Sequence, residues 1–443
     1  MGKAWLAAAK QANCTEACLQ RRARTIHLQG ELDRLFDAVP TLPTHRAASH
    51  AFDVCVLRQP SGRSGAAIRS ACASEAGAGL QGAFWAQCGV QPSCGSGAAP
   101  RTREGWLLAR HRAEDLARAA TADTTTPPSS AAADGGSHLV AALRRMRGRS
   151  LLWVGDSISR QLAEAARCEV GRAVGPGSAD AAALQRQIVF ADLTKHERSR
   201  DELTRRFSQL TRPARGEGGE GGELGGGGGA IVIANLGLHY NNRNSSERER
   251  SRELPRKVLR SHPRLAFGTM RRFHHMWDRQ QFRSRTKMLL RLLDAFGRAC
   301  DGCVGVYITT TTQHFDSPTG AFERKQREPT AYPCRALRAS SSVQGAAADE
   351  HRHRTRADDD DAPPDPNAWR PGDALELAHQ QSVEGRLVVL PIHRLTRPLW
   401  HAHLGVSRTG KAVDCSHFCP APFLFDPLWF AVRMIAEAAF PSL

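Results

Sequence analysis

The chain predicts an α/β domain with a mostly parallel sheet, preceded by a small cysteine-bearing helical module. Three observations carry this reading. From residue 139 onward, short apolar runs of strand length alternate with segments of helical spacing, the pattern of successive βαβ units. A Thr/Pro/Ser/Gly stretch over 119–137 (AATADTTTPPSSAAADGGS) separates that region from what precedes it. The 443 residues, 41% hydrophobic and 24% charged, suffice for one α/β domain of about 300 residues and a smaller unit, and exclude wholesale disorder, collagen-like repeats and a polytopic membrane protein.

Residues 1–118 form the expected N-terminal module, where Leu28, Leu32, Leu35 and Phe36 share one helical face and Trp106, Leu107 and Leu116 suggest another helix. No chemistry is visible in it. Residues 119–137 are the linker and 138–443 the α/β domain. Within that domain, 151–154, 231–234, 304–308 and 387–390 have strand length and composition, while 158–168, 281–300 and 427–438 have helical spacing. Residues 213–229 (PARGEGGEGGELGGGGG) and 339–372 cannot bury enough apolar surface for a core and read as surface insertions.

The formal net charge of +17 and a pI near 10.0 favour an anionic partner. Lysine occurs only at Lys3, Lys10, Lys195, Lys257, Lys287, Lys325 and Lys411, so the excess is arginine, in a chain equally rich in Ala and Gly, which reads first as coding bias. Arg243–Arg260 interleaves Glu with Arg as a solvated helix face does, and no nucleic-acid-binding signature is present, so a nucleic-acid partner is set aside. Twelve cysteines, six before residue 100 and six after residue 160, suit intradomain disulfides in an oxidising compartment. Sequons at Asn13 and Asn244 agree with secretion. The opening MGKAWLAAAKQANC is too short and interrupted in its apolar stretch to read as a signal peptide, and no run of about 18 apolar residues predicts a membrane span.

The strongest local signal is RSLLWVGDSISRQLAEAARC, 149–168. A strand ending in Gly155-Asp156-Ser157 and followed at once by a helix puts Ser157 at the carboxyl edge of a parallel sheet, where ligands of open α/β folds bind. Gly155 allows the tight turn, and the Ser157 amide at the helix start faces a developing oxyanion. A lone Gly-Asp-Ser is equally well a turn in which Ser157 caps the helix. A nucleophilic serine needs a base and an orienting acid, and Asp414 and His417, three residues apart in VDCSHFCPAPFLFDPLW, supply them if a turn brings the carboxylate to Nδ1. AIVIANLGLHYNN offers Asn235 and Gly237 as further oxyanion donors and His239 beside them. In VYITTTTQHFDSPTG, Thr310, Thr311, Gln313 and His314 read as a substrate-contacting loop, with a satisfied loop histidine as the alternative.

The ordered set GDSISRQLAEAARC, NLGLHY, TTTTQHF and DCSHFCPAPFLFDPLW resembles the PC-esterase family, the trichome-birefringence-like branch of the GDSL/SGNH hydrolases. Arg160, Glu164 and Cys168 fall at the family's spacing after GDS, and the terminal block matches from Asp414 through Cys419, with Phe418 for the usual Trp and Trp429 in the following helix. The resemblance covers about residues 139–443. It implies a three-layer α/β/α SGNH-hydrolase-like fold, with Ser157 as nucleophile, His417 as base and acid and Asp414 as orienter; Gly155, Asp156, Arg160, His239 and His314 are the supporting or substrate-binding candidates beside them. It further implies O-acyl transfer, usually acetyl, to glycan hydroxyls in the Golgi lumen or outside the cell, with no tightly bound cofactor and an acetyl ester or acetyl-CoA as donor. His239 stands one residue from the plant branch's histidine, and residues 1–118 do not match its cysteine-rich module.

Other readings carry less. Cys300-Asp301-Gly302-Cys303 follows a helix and precedes a strand, the reverse of a thioredoxin-like pair, and no second pair completes a zinc site; disulfides or buried thiols fit better, and no metal is expected. The sequence leaves three functions open: an acyltransferase acting on a polysaccharide or glycan, an esterase using water with the same triad, and a glycan-binding protein without turnover. If the basic excess acts at all, it attracts an acidic glycan.

Overall fold

The computed structural model describes residues 16–38, 137–174, 178–193, 205, 230–236, 267–299, 302–317, 334, 335, 337, 366–381, 387–397, 403–406, 413–418 and 422–440. The expected apolar runs become strands β1 (Ser150–Gly155), β3 (Ala230–Ala234), β4 (Cys303–Ile308) and β5 (Leu387–Leu390) of one parallel sheet. A further strand, β2 (Ile188–Asp192), pairs with β1 at the sheet's edge, and the order is β2-β1-β3-β4-β5. Its incomplete burial, with Val189, Phe190 and Asp192 half-buried, is that of an edge strand, and the helix that ends just before it masks it in the sequence.

Helices cover both faces. They are α1 (Glu16–Ala38), α2 (His138–Met146), α3 (Ser157–Val174), α4 (Ala179–Arg186), α5 (Phe267–Ala299), α6 (Pro366–Gln381), α7 (Ile392–Thr396) and α8 (Pro422–Ala439). Successive strand residues point to opposite faces. Leu151, Trp153, Ile231, Ile233 and Ile308 therefore pack under α1, α2, α3 and α8, while Leu152, Val154, Val232, Ala234 and Tyr307 pack under α5 and α6. Trp153 meets Trp429 of α8 edge-on at 6.1 Å. On the other face α5 lies close on β4, since a Cβ on Gly305 would fall 2.3 Å from the Leu293 carbonyl oxygen. A separate antiparallel ribbon, β6 (His403–Val406) and β7 (Val413–Phe418), stands beside the sheet.

Two expected boundaries change. The described part of the N-terminal region, α1, is no separate module: Leu28, Leu32, Leu35 and Phe36 are buried in the same core as the sheet and α8. Gln29 completes the exposed edge of β5, accepting the Val389 amide and donating to the Val389 carbonyl, both at 2.8 Å, as a neighbouring strand would. The stripe was legible, but the strand edge beside it is 360 residues away in the chain. The insertion 339–372 ends earlier than its composition suggests, because 366–372 open α6, where Trp369 packs edge-on against Phe282 at 5.4 Å and Arg370 is buried. Residues 213–229, the linker 119–136, and Trp106, Leu107 and Leu116 lie outside the described residues. Among the described residues, no helix is long and apolar enough to cross a membrane.

Candidate active site

The strand order reverses between β1 and β3. From β1 the chain crosses through α3 on one face to β2, and from β3 through α5 on the other face to β4. The carboxyl ends of β1 and β3 therefore flank the crevice where open parallel sheets bind ligands.

β1 ends at Gly155, whose φ of +150° and crowded surroundings require glycine: a Cβ there would lie 2.1 Å from the Asn235 carbonyl oxygen and 2.5 Å from Ser159 Oγ. The helix starts at once. Its cap is Asp156, buried, whose Oδ1 accepts the Ile158 amide at 2.9 Å and whose carbonyl accepts the Arg160 amide at 3.1 Å. Ser157 is thus the first helical residue rather than the cap, and it is partly exposed. Arg160 turns sideways to Asp192 at the end of β2, 3.2 Å away, and lies 5.3 Å from the Phe190 ring centre.

The other half of the site is β7. His403 pairs with Phe418 and Gly405 with Asp414, so Cys415, Ser416 and His417 stand opposite Leu404 alone. Such a bulge breaks the strand's alternation, and it lets two residues three apart meet on one side. His417 Nδ1 lies 2.9 and 3.0 Å from the two carboxylate oxygens of Asp414, while the Ser416 and His417 amides donate to Oδ1 at 3.2 and 3.0 Å. Burial pushes the Asp414 carboxyl up, but the hydrogen bond and charge of His417, with the two amides, outweigh it and hold the group below its ordinary value. The carboxylate thereby holds the Nδ1 hydrogen and assigns proton exchange to Nε2. Asp414 and His417 were expected in a turn; they lie in a strand that a bulge bends like one.

Gln161 joins the two halves. It stands one turn along α3 from Ser157, about 6 Å of helical rise, and is buried. Its Oε1 accepts the Phe418 amide at 3.1 Å and its Nε2 donates to the Phe418 carbonyl. The residue after His417 is therefore bound at both main-chain groups to the helix that Ser157 opens. Further ties run from β7 to the segment after β4. The Cys334–Cys415 disulfide closes 81 residues, the His314 amide donates to the Cys415 carbonyl at 3.1 Å, and Gln313 Nε2 donates to Ser416 Oγ at 2.9 Å. Gln161 was not foreseen, although a glutamine between Ile158 and Leu162 on a buried helix face is a signal in itself.

No protein-family model, curated protein or solved structure matches the chain.

Other expected residues are placed differently. Asn235 is fully buried and its Nδ2 donates to the Ile308 and Thr309 carbonyls at 3.1 and 3.2 Å. Both amide hydrogens hold β3 to β4, so the side chain is no oxyanion donor in this arrangement. Thr310, Thr311, Gln313 and His314 are buried rather than presented to a ligand, and both ring nitrogens of His314 are bonded, the satisfied alternative. Gly237 and His239 lie outside the described residues. Cys168 and Cys303 are disulfide-bonded. Among the described residues, no three His, Cys, Asp or Glu side chains converge on a cation site.

Proposed function

We propose that the chain is a serine-dependent O-acyltransferase of the PC-esterase, trichome-birefringence-like type, with an SGNH-hydrolase-like fold, transferring an acyl group, most simply acetyl, to hydroxyls of a polysaccharide or glycan. The observation that carries this reading is the Gln161 clamp, which holds the Asp414–His417 couple to the helix that Ser157 opens. The doubly wound strand order, with Ser157 at its reversal, supports it too.

In this reading Ser157 Oγ attacks the acyl carbonyl of the donor, an acetyl ester or acetyl-CoA, and its proton passes to His417 Nε2. The oxyanion forms against the Ser157 amide at the positive end of α3. As the tetrahedral intermediate collapses, the leaving group takes the proton from His417 and the acyl group stays on Ser157. A sugar hydroxyl then gives its proton to His417 and attacks the acyl-enzyme, and Ser157 recovers its proton from His417 as it leaves. Water in place of the sugar makes the same machinery an esterase. A secretory setting is part of the proposal, and the Cys334–Cys415 disulfide supports it.

The test incubates the full chain with an activated acetyl ester, with and without oligosaccharide. Acetylated oligosaccharide is expected, and Ser157→Ala or His417→Ala should lower transfer about a thousandfold or more. Full activity in Ser157→Ala would refute the mechanism, and acetate release indifferent to oligosaccharide would assign the esterase.

A further inference from the structure

Two histidines outside the proposed triad form a buried chain that ends on His417. His314, in the segment after β4, and His403, which opens β6, are both fully buried. His314 Nδ1 lies 2.7 Å from His403 Nε2. Each outer nitrogen faces a main-chain carbonyl: His314 Nε2 lies 2.8 Å from the Arg397 oxygen, and His403 Nδ1 lies 3.1 Å from the His417 oxygen.

A carbonyl oxygen only accepts, so both outer nitrogens carry hydrogen. A neutral imidazole has one hydrogen. Two neutral rings satisfying both carbonyls would therefore oppose two bare lone pairs at 2.7 Å. Three hydrogens on the two rings satisfy all three contacts. We propose that His314 and His403 are a positioning pair for His417, sharing one hydrogen more than two neutral imidazoles hold and thereby fixing the His417 main-chain carbonyl. The proposal rests on the reading of His417 as the general base.

The neutral alternatives each break an outer contact. Moving the hydrogen of His403 from Nδ1 to Nε2 turns a lone pair toward the His417 oxygen and releases the carbonyl that the pair holds. Moving that of His314 from Nε2 to Nδ1 does the same at Arg397. Leaving a buried polar group unpaired costs about 1–3 kcal/mol, which opposes either change. Burial presses the other way: it lowers the His314 imidazolium to about 4, against the hydrogen bond to the Arg397 carbonyl and with the Arg397 charge. Opposing burial is the hydrogen bond between the rings, charge-assisted in the loaded state and short.

Charged and titratable groups lie on the described segments that carry the two rings or pair with them. Arg397 follows α7, Asp316 is exposed on the segment of His314, and Arg335 donates its amide to the His314 carbonyl at 2.9 Å. On β7 stand Asp414 and His417, and Phe418 lies against the His403 ring with centroids 4.1 Å apart.

The test labels the histidines of the full chain with nitrogen-15 and counts protonated ring nitrogens near neutral pH, with His314→Gln and His403→Gln assigning the rings. Three protonated nitrogens on the pair are expected; two overturn the shared hydrogen. A second arm compares His403→Phe, which keeps a ring against Phe418 but has no N–H for the His417 carbonyl, with His403→Gln, whose amide can supply one. Turnover in the Phe variant should fall about tenfold or more, with KM changed less than about twofold, and the Gln variant should regain most of it. Wild-type turnover in His403→Phe overturns the positioning role. If the wild-type chain transfers no acyl group, the catalytic reading fails, while the nitrogen-15 count still decides the state of the pair.

Discussion

One side-chain amide, that of Gln161, spans 257 residues to reach Phe418, and its partner could not be named from the chain alone. Gln161→Leu removes both bonds and leaves the Phe418 amide and carbonyl unpaired, at a cost of about 1–3 kcal/mol in stability for each group. With His417 released from α3, turnover should fall about tenfold to a hundredfold, while Asp414 and His417 remain paired. Gln161→Glu separates hydrogen bonding from size. The ionised carboxylate accepts from the Phe418 amide but turns lone pairs on its carbonyl, whereas the protonated form replaces the amide fully. Its activity relative to wild type should rise as the pH falls toward the carboxyl range, and a ratio constant with pH would contradict the clamp. Ser157, Asp414 and His417 were legible because local spacing marks them. The tie of Asn235 to two β4 carbonyls was not, because a strand-end asparagine looks the same whichever neighbour takes its hydrogens.

Among the elements, α1 departs most from expectation. Its apolar stripe reads correctly as a helix face, yet its partners are β5, α7 and α8, so the α/β core includes a helix from before the linker. Leu32 is fully buried there, and Leu32→Ala should destabilise the whole α/β unit by about 2–5 kcal/mol. Urea denaturation should show one transition moved to lower concentration. A wild-type midpoint, with loss of helix signal alone, would restore the separate module. Helix lengths were underestimated, since α5 spans Phe267–Ala299 and α8 begins at Pro422. Proline is well placed as a first helical residue, where its missing N–H has no intrahelical partner. The bulge in β7 left no mark in the sequence, because its cause is the pairing with β6.

Across the whole molecule, two half-buried histidines apart from the His314–His403 pair, His138 and His393, are held in the neutral form near neutral pH. Burial, with the Arg433 charge alongside, lowers His138 from 6.5 to about 4, and burial with Arg394 and Arg397 lowers His393 to about 3. Below about 6.5 the unfolded chain takes up protons at these positions that the folded chain refuses, so stability falls as the pH drops from about 6.5 toward about 4. Asp414 adds a loss further down: its folded value lies below 3.8, so the stability it contributes above 3.8 disappears as the pH falls through that lower value. Denaturation midpoints across this range should decline steadily toward acid, and His138→Gln with His393→Gln should flatten the upper part of the slope. By itself the sequence determined the α/β class and four of the five strands of the parallel sheet, and it singled out Ser157, Asp414 and His417 as candidates, because periodicity and short-range spacing are local properties of a chain. Tertiary structure alone decided that α1 belongs to the core, that a bulge brings Asp414 to His417, and that Gln161 binds β7 to the Ser157 helix. Those are set by contacts between segments distant in the chain, 360 residues from Gln29 to Val389 and 257 from Gln161 to Phe418, and their selectivity lies in shape and hydrogen-bond partners that no local pattern records.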